Sequence, residues 1–264
     1  MPADLLIGLA LCFLIVALSW IAGVLSFTGG MATLLVGTAV FGLGGWKWAP
    51  AILCFFISSS LLSKIGKSRK EDLSDVFQKA NRRDWGQVLA NGLVPSLCAV
   101  AHHIDPDSIW YMLYLSALSS ATADTWGTEL GMSSKTEPIH AVSGKLVRTG
   151  TSGGITTFGT LASITGAVTL SIVGALFEPS QEETSSVILL VTVSGFMASL
   201  FDSFLGGTLQ AQYRCPVCGK RTERRFHCAA GCDRISGLGW MNNDLVNFLS
   251  GLLAVGLTFL LIKG

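Results

Sequence analysis

Long apolar runs without charge constrain this chain more than any other feature. A helix needs about 20 mostly apolar residues to cross the ~30 Å hydrocarbon core of a bilayer. Eight segments approach or exceed that length, at residues 5–25, 30–43, 48–62, 87–101, 109–123, 154–177, 186–210 and 245–262. Only Gly44-Gly45-Trp46-Lys47 separates the second segment from the third, so the two form either a tight helical hairpin or one interrupted span. The sequence predicts an all-α, polytopic transmembrane helix bundle of seven or eight spans, in one membrane domain covering residues 1–264.

Charged residues make up 13% of the chain, against roughly a quarter in soluble domains, and they are unevenly placed. Of the 18 lysines and arginines, seven lie in residues 64–83, three in 135–148 and six in 214–234. Pairs of apolar segments separate these stretches, so a single topology places all three on one side of the membrane. The positive-inside rule assigns that side to the cytoplasm or stroma. We therefore expect a basic cytoplasmic loop at 64–85 and a cysteine-rich cytoplasmic loop at 213–241.

Three carboxylates lie where a bilayer disfavours them. Asp124 and Glu129 end the fifth segment, and Asp202 lies well inside the seventh. An ionisable side chain at the centre of a span costs about 2.5–3.5 kcal/mol, so it normally faces a polar cavity or a bound cation. The pattern predicts that these residues line a site, with interfacial carboxylates as the alternative.

The two acidic segments also resemble each other. Residues 121–131 and 199–210 each contain an aspartate followed by a hydroxyl residue and then by glycine and threonine. An internal repeat would produce this pattern if each half brought one aspartate to a shared centre on a glycine-loosened helix. The match is short, so the repeat stays an open alternative.

The stretch 143–154 combines glycines, hydroxyl residues and two cations immediately before an apolar helix. Unpaired backbone N–H groups and the dipole at a helix N-terminus both favour anions. The spacing of a P-loop is absent, because Leu146 follows Gly144-Lys145. The alternatives are a phosphate site and an ordinary linker, and the candidate phosphate-binding residues are Lys145, Arg148, Gly150, Thr151, Ser152 and Gly153.

Two further polar groups border the apolar segments. Arg82 and Arg83 are placed at the membrane surface, and Asn91 follows inside, on the same helical face as Gln87. The two arginines would contact either substrate or anionic lipid headgroups. Asn243 and Asp244 open the last segment, where they would complete a metal or nucleotide site or cap the helix.

Four of the seven cysteines gather in the loop at 213–241. A Cys-x-x-Cys turn with two further thiols and a histidine in a short loop is typical of a structural zinc site. The loop is brief and joined at both ends to membrane helices, which argues against nucleic-acid binding. The candidate zinc ligands are Cys215, Cys218, His227, Cys228 and Cys232.

Four motifs, in order along the chain, resemble the phytyl-phosphate kinase family of polytopic membrane proteins. They are residues 81–92, residues 123–131, the turn at 150–154, and Asp202-Ser203 with the following Gly206. Where members have an assigned activity, they convert an isoprenoid monophosphate to the diphosphate with a nucleoside triphosphate, for tocopherol and phylloquinone synthesis. The resemblance implies the same chemistry for this chain. The four-cysteine loop is not shared by all members and supports no catalytic assignment.

The implied partners are a prenyl monophosphate lipid, CTP or ATP, Mg²⁺ and the membrane itself. Phosphoryl transfer depends on positioning and charge neutralisation, and Mg²⁺ is usually held by one or two carboxylates with phosphates and waters. Lys145 and Arg148 would hold phosphate, and Arg82 and Arg83 would orient the lipid headgroup. The expected magnesium ligands come from Asp124, Glu129, Asp202, Asn243 and Asp244.

Two other classes remain open from the sequence. A secondary transporter or anion carrier would also place aspartates on broken helices in repeated halves. A polyprenol kinase acting on the free alcohol would share Mg²⁺ and nucleotide but would need a base to deprotonate the hydroxyl group.

Overall fold

The computed structural model describes residues 2–65, 82–177 and 184–263. Within these ranges the chain forms eight α-helices, and most of the predicted basic loop at 64–85 lies outside them. The helices are α1 Pro2–Ile21, α2 Phe27–Ala39, α3 Ala49–Ile65, α4 Trp85–Ile104, α5 Ile109–Gly131, α6 Thr157–Ala175, α7 Thr184–Thr208 and α8 Asn243–Lys263. Each of the eight predicted segments therefore corresponds to one helix, and the prediction of an all-α membrane bundle is confirmed.

Five segments of the described chain are long and apolar enough to cross a membrane. They are Phe27–Gly44, Trp46–Ile65, Thr157–Ala175, Thr184–Thr208 and Asn243–Lys263. Helix α5 is long enough but more polar than these segments. Neighbouring helices bury every residue from Tyr111 to Ala123. A helix enclosed by protein needs no apolar surface toward lipid, and hydroxyl side chains at helix interfaces in membranes form hydrogen bonds instead. Thr258 of α8, for example, donates to the Ser116 hydroxyl of α5 at 2.6 Å.

The second and third segments form a helical hairpin rather than one interrupted span. A π-helical turn at Val40–Gly44 and a 3₁₀ turn at Trp46–Trp48 lie on either side of Gly45, whose φ of +87° strongly favours glycine. The start of α2 bonds to Arg83, since the Ser26 amide donates to its carbonyl at 3.0 Å. The Arg83 guanidinium in turn lies 5.8 Å from the ring of Phe55 in α3. Both arms of the hairpin thus reach the same end of the bundle.

The helices alternate in direction, and the connections α3–α4, α5–α6 and α7–α8 share one end, here called the near end. Ser63, at the close of α3, donates a hydrogen bond to Glu129, at the close of α5. At the opposite or far end, the hydroxyl groups of Tyr111 and Tyr114 in α5 donate to backbone carbonyls of Gly174 and Trp48. The three stretches predicted to share one side of the membrane therefore lie at one end of the fold, as far as they are described.

Seven short strands occupy two near-end connections. Between α5 and α6, β1 Ile139–His140 pairs with β2 Gly154–Ile155 in an antiparallel ribbon. Between α7 and α8, a three-stranded sheet has the order β4-β3-β7, and β5 pairs with β6 in a hairpin. Their bounds are β3 Gln212–Arg214, β4 Arg221–Thr222, β5 Phe226–His227, β6 Ala230–Gly231 and β7 Asp233–Ser236. We call residues 212–236 the strand module.

Candidate functional site

A cavity of about 260 Å³ opens at the near end, between the last turns of α5 and α7 and the first turns of α6 and α8. The carboxylate residues Asp124, Asp202 and Asp244 line it, together with Asn243. These four residues come from separate segments of the sequence, and the fold brings them to one space. The turn Thr149–Gly154 closes the cavity from the side.

Asp202 is the most deeply placed of these acids. It lies two turns from the end of α7, is only 8% exposed, and accepts a hydrogen bond from Ser250 of α8 at 3.1 Å. Asp124 is half-buried and close enough for the charges of the two carboxylates to interact. Two adjacent negative charges in a membrane protein repel each other, and a cation between them relieves that repulsion.

Two helix N-termini face the same cavity. Thr156 caps α6, with its Oγ1 accepting from the Gly159 amide at 3.0 Å, and it also lines the cavity. At the start of α8, the side chain of Asn242 accepts a hydrogen bond from the Leu245 amide at 3.0 Å. The next residue, Asn243, lines the cavity. The unpaired N–H groups and dipoles of helix N-termini attract anions. The site therefore has a wall of carboxylates next to a wall of helix N-termini.

Gly153 fixes the turn at 149–154 against α7. Its φ is +76°, and a Cβ atom there would lie 2.5 Å from the backbone N and Cα of Gly207. Gly206 meets the same turn, since a Cβ on it would lie 3.2 Å from the Gly153 amide nitrogen. The four predicted residues Gly150, Thr151, Ser152 and Gly153 all line the cavity.

The two predicted cations of this segment lie elsewhere. Lys145 and Arg148 are exposed and do not line the cavity. Among the described residues, the cavity lining contains no lysine, arginine or histidine. An anion in this cavity would therefore be contacted by backbone N–H and hydroxyl groups rather than by cationic side chains.

Glu129 also lies outside the cavity lining. It is 6% exposed and faces α3, where it accepts a hydrogen bond from Ser63, and its charge interacts with that of Arg83. Trp126, three residues earlier, faces α3 as well and donates to Ser58 at 3.1 Å. One face of α5 thus turns Asp124 to the cavity, while the adjacent face turns Glu129 toward Arg83.

Arg83 and Asn91 border a second, apolar space of about 70 Å³ between α1, α2, α3 and α4. We call it the groove; aliphatic and aromatic side chains such as Ile15, Leu53 and Phe56 form most of its wall. Gln87 lines both the groove and the acidic cavity, so the two spaces meet at this side chain. Arg82 is exposed and lines neither space, so the two neighbouring arginines have different surroundings.

Sequence reasoning missed Glu223, which follows β4 in the strand module. Its Oε1 accepts from Ser152 at 2.9 Å and from Gln210 at 2.7 Å, and all three residues line the cavity. Glu223 belongs to no motif in the chain, and only the fold of the module brings it to the turn at 149–154. Ser250, the partner of Asp202, was missed for a similar reason, since a serine inside an apolar helix carries no specific signal.

Four of the five predicted zinc ligands converge in the strand module. The ligand atoms of Cys215, Cys218, His227 and Cys228 all lie within 4.8 Å of one another, whereas Cys232 is not part of this group. The backbone N–H groups of Cys218 and Val217 donate to the Cys215 sulfur, and the bond from Cys218 contributes most to lowering the pKa of that thiol to about 6. A thiol with a lowered pKa is a good metal ligand, because the thiolate is the binding form.

Comparison with known proteins places these features in a family. The model of the family described as integral membrane protein DUF92 matches residues 10–255. The chain belongs to this family. No solved structure matches the chain.

The relatives include plant and archaeal proteins. The chain is 30% identical to Protein PGR of Arabidopsis thaliana over 256 residues, which covers 89% of the chain and 88% of the relative. It is 31% identical to the uncharacterized membrane protein MJ0933 of Methanocaldococcus jannaschii over 183 residues, covering 69% and 73%. Protein VTE6, chloroplastic, of Arabidopsis thaliana is 21% identical over 231 residues, covering 86% of the chain and 62% of the relative. Membership of a phytyl-phosphate kinase-like family, expected from the four motifs, is confirmed at this modest identity.

Proposed function

We propose that this protein is a membrane-embedded kinase that converts an isoprenoid monophosphate, phytyl phosphate or a similar lipid, to the diphosphate with CTP or ATP and Mg²⁺. The observation that carries the proposal is the composition of the near-end cavity. Its lining has several carboxylates and two helix N-termini but, among the described residues, no cationic side chain. Such a site suits polyanions that arrive with a divalent metal.

The donor atoms of the cavity fit Mg²⁺. Asp124, Asp202, Asn243 and Asp244 offer only oxygen ligands in their carboxylate and amide groups, the type that hard cations prefer. Bound Mg²⁺ would neutralise charge on the nucleotide phosphates and on the group being transferred. Asp124 and Asp202 would hold the metal, and the Ser250 hydroxyl would orient the Asp202 carboxylate by its hydrogen bond.

The remaining steps need positioning rather than strong base catalysis. A lipid monophosphate is largely ionised at neutral pH, because its second pKa is about 6, so its oxygen can attack without losing a proton to the protein. The backbone and hydroxyl groups of Thr151, Ser152 and Gly153, with the N-terminus of α6, would orient phosphate oxygens. The enclosed position of Asp202 limits water, which would otherwise compete as acceptor.

The groove supports a lipid as the acceptor. It is apolar, it lies between α1, α2, α3 and α4, and it meets the acidic cavity at Gln87. Arg83 lines the groove near that junction and supplies the positive charge that the cavity lacks. A prenyl chain in the groove would bring its phosphate past Arg83 to the cavity.

We further propose that the near end faces the cytoplasm or stroma, in keeping with the positive-inside rule.

A panel of acceptors tests the proposal. Purified protein in detergent would be incubated with Mg²⁺, γ-labelled CTP or ATP, and either phytyl phosphate, geranylgeranyl phosphate, free phytol or a short soluble phosphate. We expect label in the prenyl diphosphates, less or none with the short phosphate, and none with phytol. Label on phytol alone would identify a polyprenol kinase. Folded protein that labels no acceptor with either nucleotide would refute the kinase and turn attention to transport.

A further inference from the structure

The cysteine cluster lies apart from the acidic cavity, and the metal chemistry proposed for that cavity does not use it. We propose that Cys215, Cys218, His227 and Cys228 bind one structural Zn²⁺, and that this metal fixes the strand module so that Glu223 holds the turn at 149–154 in place. The inference goes beyond the proposed kinase function, because it concerns how the cavity wall is built whatever substrate the cavity accepts.

The geometry of the cluster suits zinc. His227 Nδ1 lies 3.4 Å from the Cys218 sulfur and 3.2 Å from the Cys228 sulfur. With Zn–S bonds of about 2.3 Å and Zn–N bonds of about 2.0 Å, ligand atoms of a tetrahedral site are about 3.5 Å apart. Three thiolates and one imidazole form a Cys₃His set, which is typical of closed structural zinc sites. Little movement is needed to close such a site around the metal.

The backbone of the hairpin gives an independent reason for a ligand. Cys228 and Ala229 join β5 to β6 with φ values of 51° and 56°. Two-residue hairpin turns with two positive φ values favour Asn-Gly, because residues with a Cβ atom lose about 1–2 kcal/mol in this conformation. A cysteine at such a position is strained, and a metal bond to its sulfur would offset the cost of that strain.

The first turn of the module carries the other two thiols of the cluster. Cys215 and Cys218 lie on a tight turn in which the Gly219 amide donates to the Cys215 carbonyl at 2.9 Å and the Cys215 amide to the Lys220 carbonyl at 3.0 Å. Gly219 has a φ of +72° and therefore permits the reversal. Both turns present thiols toward the same point from two different hairpins, so a shared ion would join them.

Joining the hairpins matters for the cavity because β4 ends at Thr222, directly before Glu223. Strand β4 pairs with β3, and β3 begins four residues after α7 ends. Glu223 accepts hydrogen bonds from Ser152 and Gln210 and so ties the turn at 149–154 to the end of α7. The strand module has few buried apolar side chains of its own, and small β units of this kind are marginal without a metal. Loss of zinc should therefore release the turn.

The first experiment measures metal and thiols in the full-length protein, purified in detergent without chelators. Elemental analysis should find about one zinc per chain, and the double variant Cys218→Ser/Cys228→Ser should hold less than about a fifth of that amount. Cys54→Ser, in α3 and away from the cluster, is the matched control and should retain the zinc. Protein that contains no zinc and titrates as disulfides in the module would overturn the proposal, as would zinc that persists in the double variant.

The second experiment tests the connection to the cavity by hydrogen exchange of the 149–154 segment. Removal of zinc from the wild type with a chelator should raise exchange there about tenfold, and readdition of zinc should reverse the change, which excludes irreversible misfolding. Glu223→Ala should raise exchange similarly while keeping its zinc. Glu223→Gln keeps an acceptor oxygen and should change exchange less. If neither the chelator nor Glu223→Ala changes exchange at 149–154, the proposed link between the strand module and this turn is refuted, whatever the outcome of the kinase assays.

Discussion

The near and far ends of the bundle differ in the surroundings of their polar side chains. At the far end, Tyr114 is fully buried and its hydroxyl donates to the Trp48 carbonyl at 2.5 Å. The hydroxyl group therefore has its hydrogen-bond partner within the protein. At the near end, Asp124 and Asp202 face a cavity and approach each other closely enough for their charges to interact. The Tyr114 hydroxyl at the far end is therefore satisfied by packing, whereas the near end keeps two carboxylates facing a cavity.

The largest effect is expected from Asp202→Asn. Loss of a metal ligand removes several kcal/mol of transition-state stabilisation, so kcat/KM for prenyl diphosphate formation should fall about 100-fold or more. The melting temperature should stay equal or rise, because the amide removes a buried charge without altering shape. Activity assays beside thermal unfolding in detergent check both. A parallel loss of stability and activity would assign Asp202 to packing instead.

A smaller effect is expected from Gly153→Ala, with Gly144→Ala as its matched control. Both glycines have positive φ values, +76° and +66°, so both variants incur about 1–2 kcal/mol of backbone strain. Only at Gly153 would the new Cβ also strike α7, while nothing lies within 4 Å of the corresponding position at Gly144. We expect about a tenfold loss of kcat for Gly153→Ala and less than about a twofold loss for Gly144→Ala. Equal losses would show that the contact with Gly207 is unimportant.

Substitutions of the two neighbouring arginines distinguish the groove from the exposed surface beside it. Arg83→Gln should raise KM for the prenyl phosphate about tenfold and change kcat little, because a charge-assisted contact contributes about 1.5–3 kcal/mol to binding. Arg82→Gln should change KM less than about twofold, since Arg82 is exposed and lines neither space. Steady-state kinetics at varied lipid concentration measure both, with unfolding curves to account for the interaction of Arg83 with Glu129. Equal shifts in KM would place the lipid headgroup elsewhere.

The smallest effect on activity is expected from Tyr114→Phe at the far end. The substitution leaves a buried carbonyl without its donor and should lower the free energy of unfolding by about 1–2 kcal/mol. Activity below the unfolding transition should stay within about twofold of wild type, because the near end is unchanged. Denaturant or thermal unfolding, together with the kinase assay, checks this. A large loss of activity in folded Tyr114→Phe protein would contradict the claim that only the near end contributes to activity.

The helices could be predicted from the sequence because apolar length is a local property. The same logic located Asp124 and Asp202, whose charge contrasts with their surroundings, and the glycine turn at 150–153. The hairpin at Gly45 could not be decided, since a positive φ is a property of the folded backbone. Two parallel helices, α5 and α7, carry the two aspartates to one end, but the internal repeat stays a prediction.

Other site features depend on contacts that no local pattern reveals. Lys145 and Arg148 were assigned to the site from their proximity in sequence to the glycine turn, but both side chains are exposed and lie outside the cavity lining. Glu129 is only five residues from Asp124, yet helical rotation turns it toward α3. Glu223 reaches the cavity through a strand module in which β3 pairs with β7 across 19 to 24 residues. These are long-range consequences of packing.

Binding of Mn²⁺, a spectroscopic substitute for Mg²⁺, tests the central claim most directly. Electron paramagnetic resonance of protein in detergent, with zinc already supplied to occupy the cysteine cluster, would count bound Mn²⁺ with and without nucleotide. We predict one Mn²⁺ site that is lost in Asp124→Asn/Asp202→Asn and kept in Tyr114→Phe, and whose affinity rises when nucleotide is added. Equal Mn²⁺ binding by the wild type and the doubly substituted protein would contradict the claim that these two aspartates form a metal site.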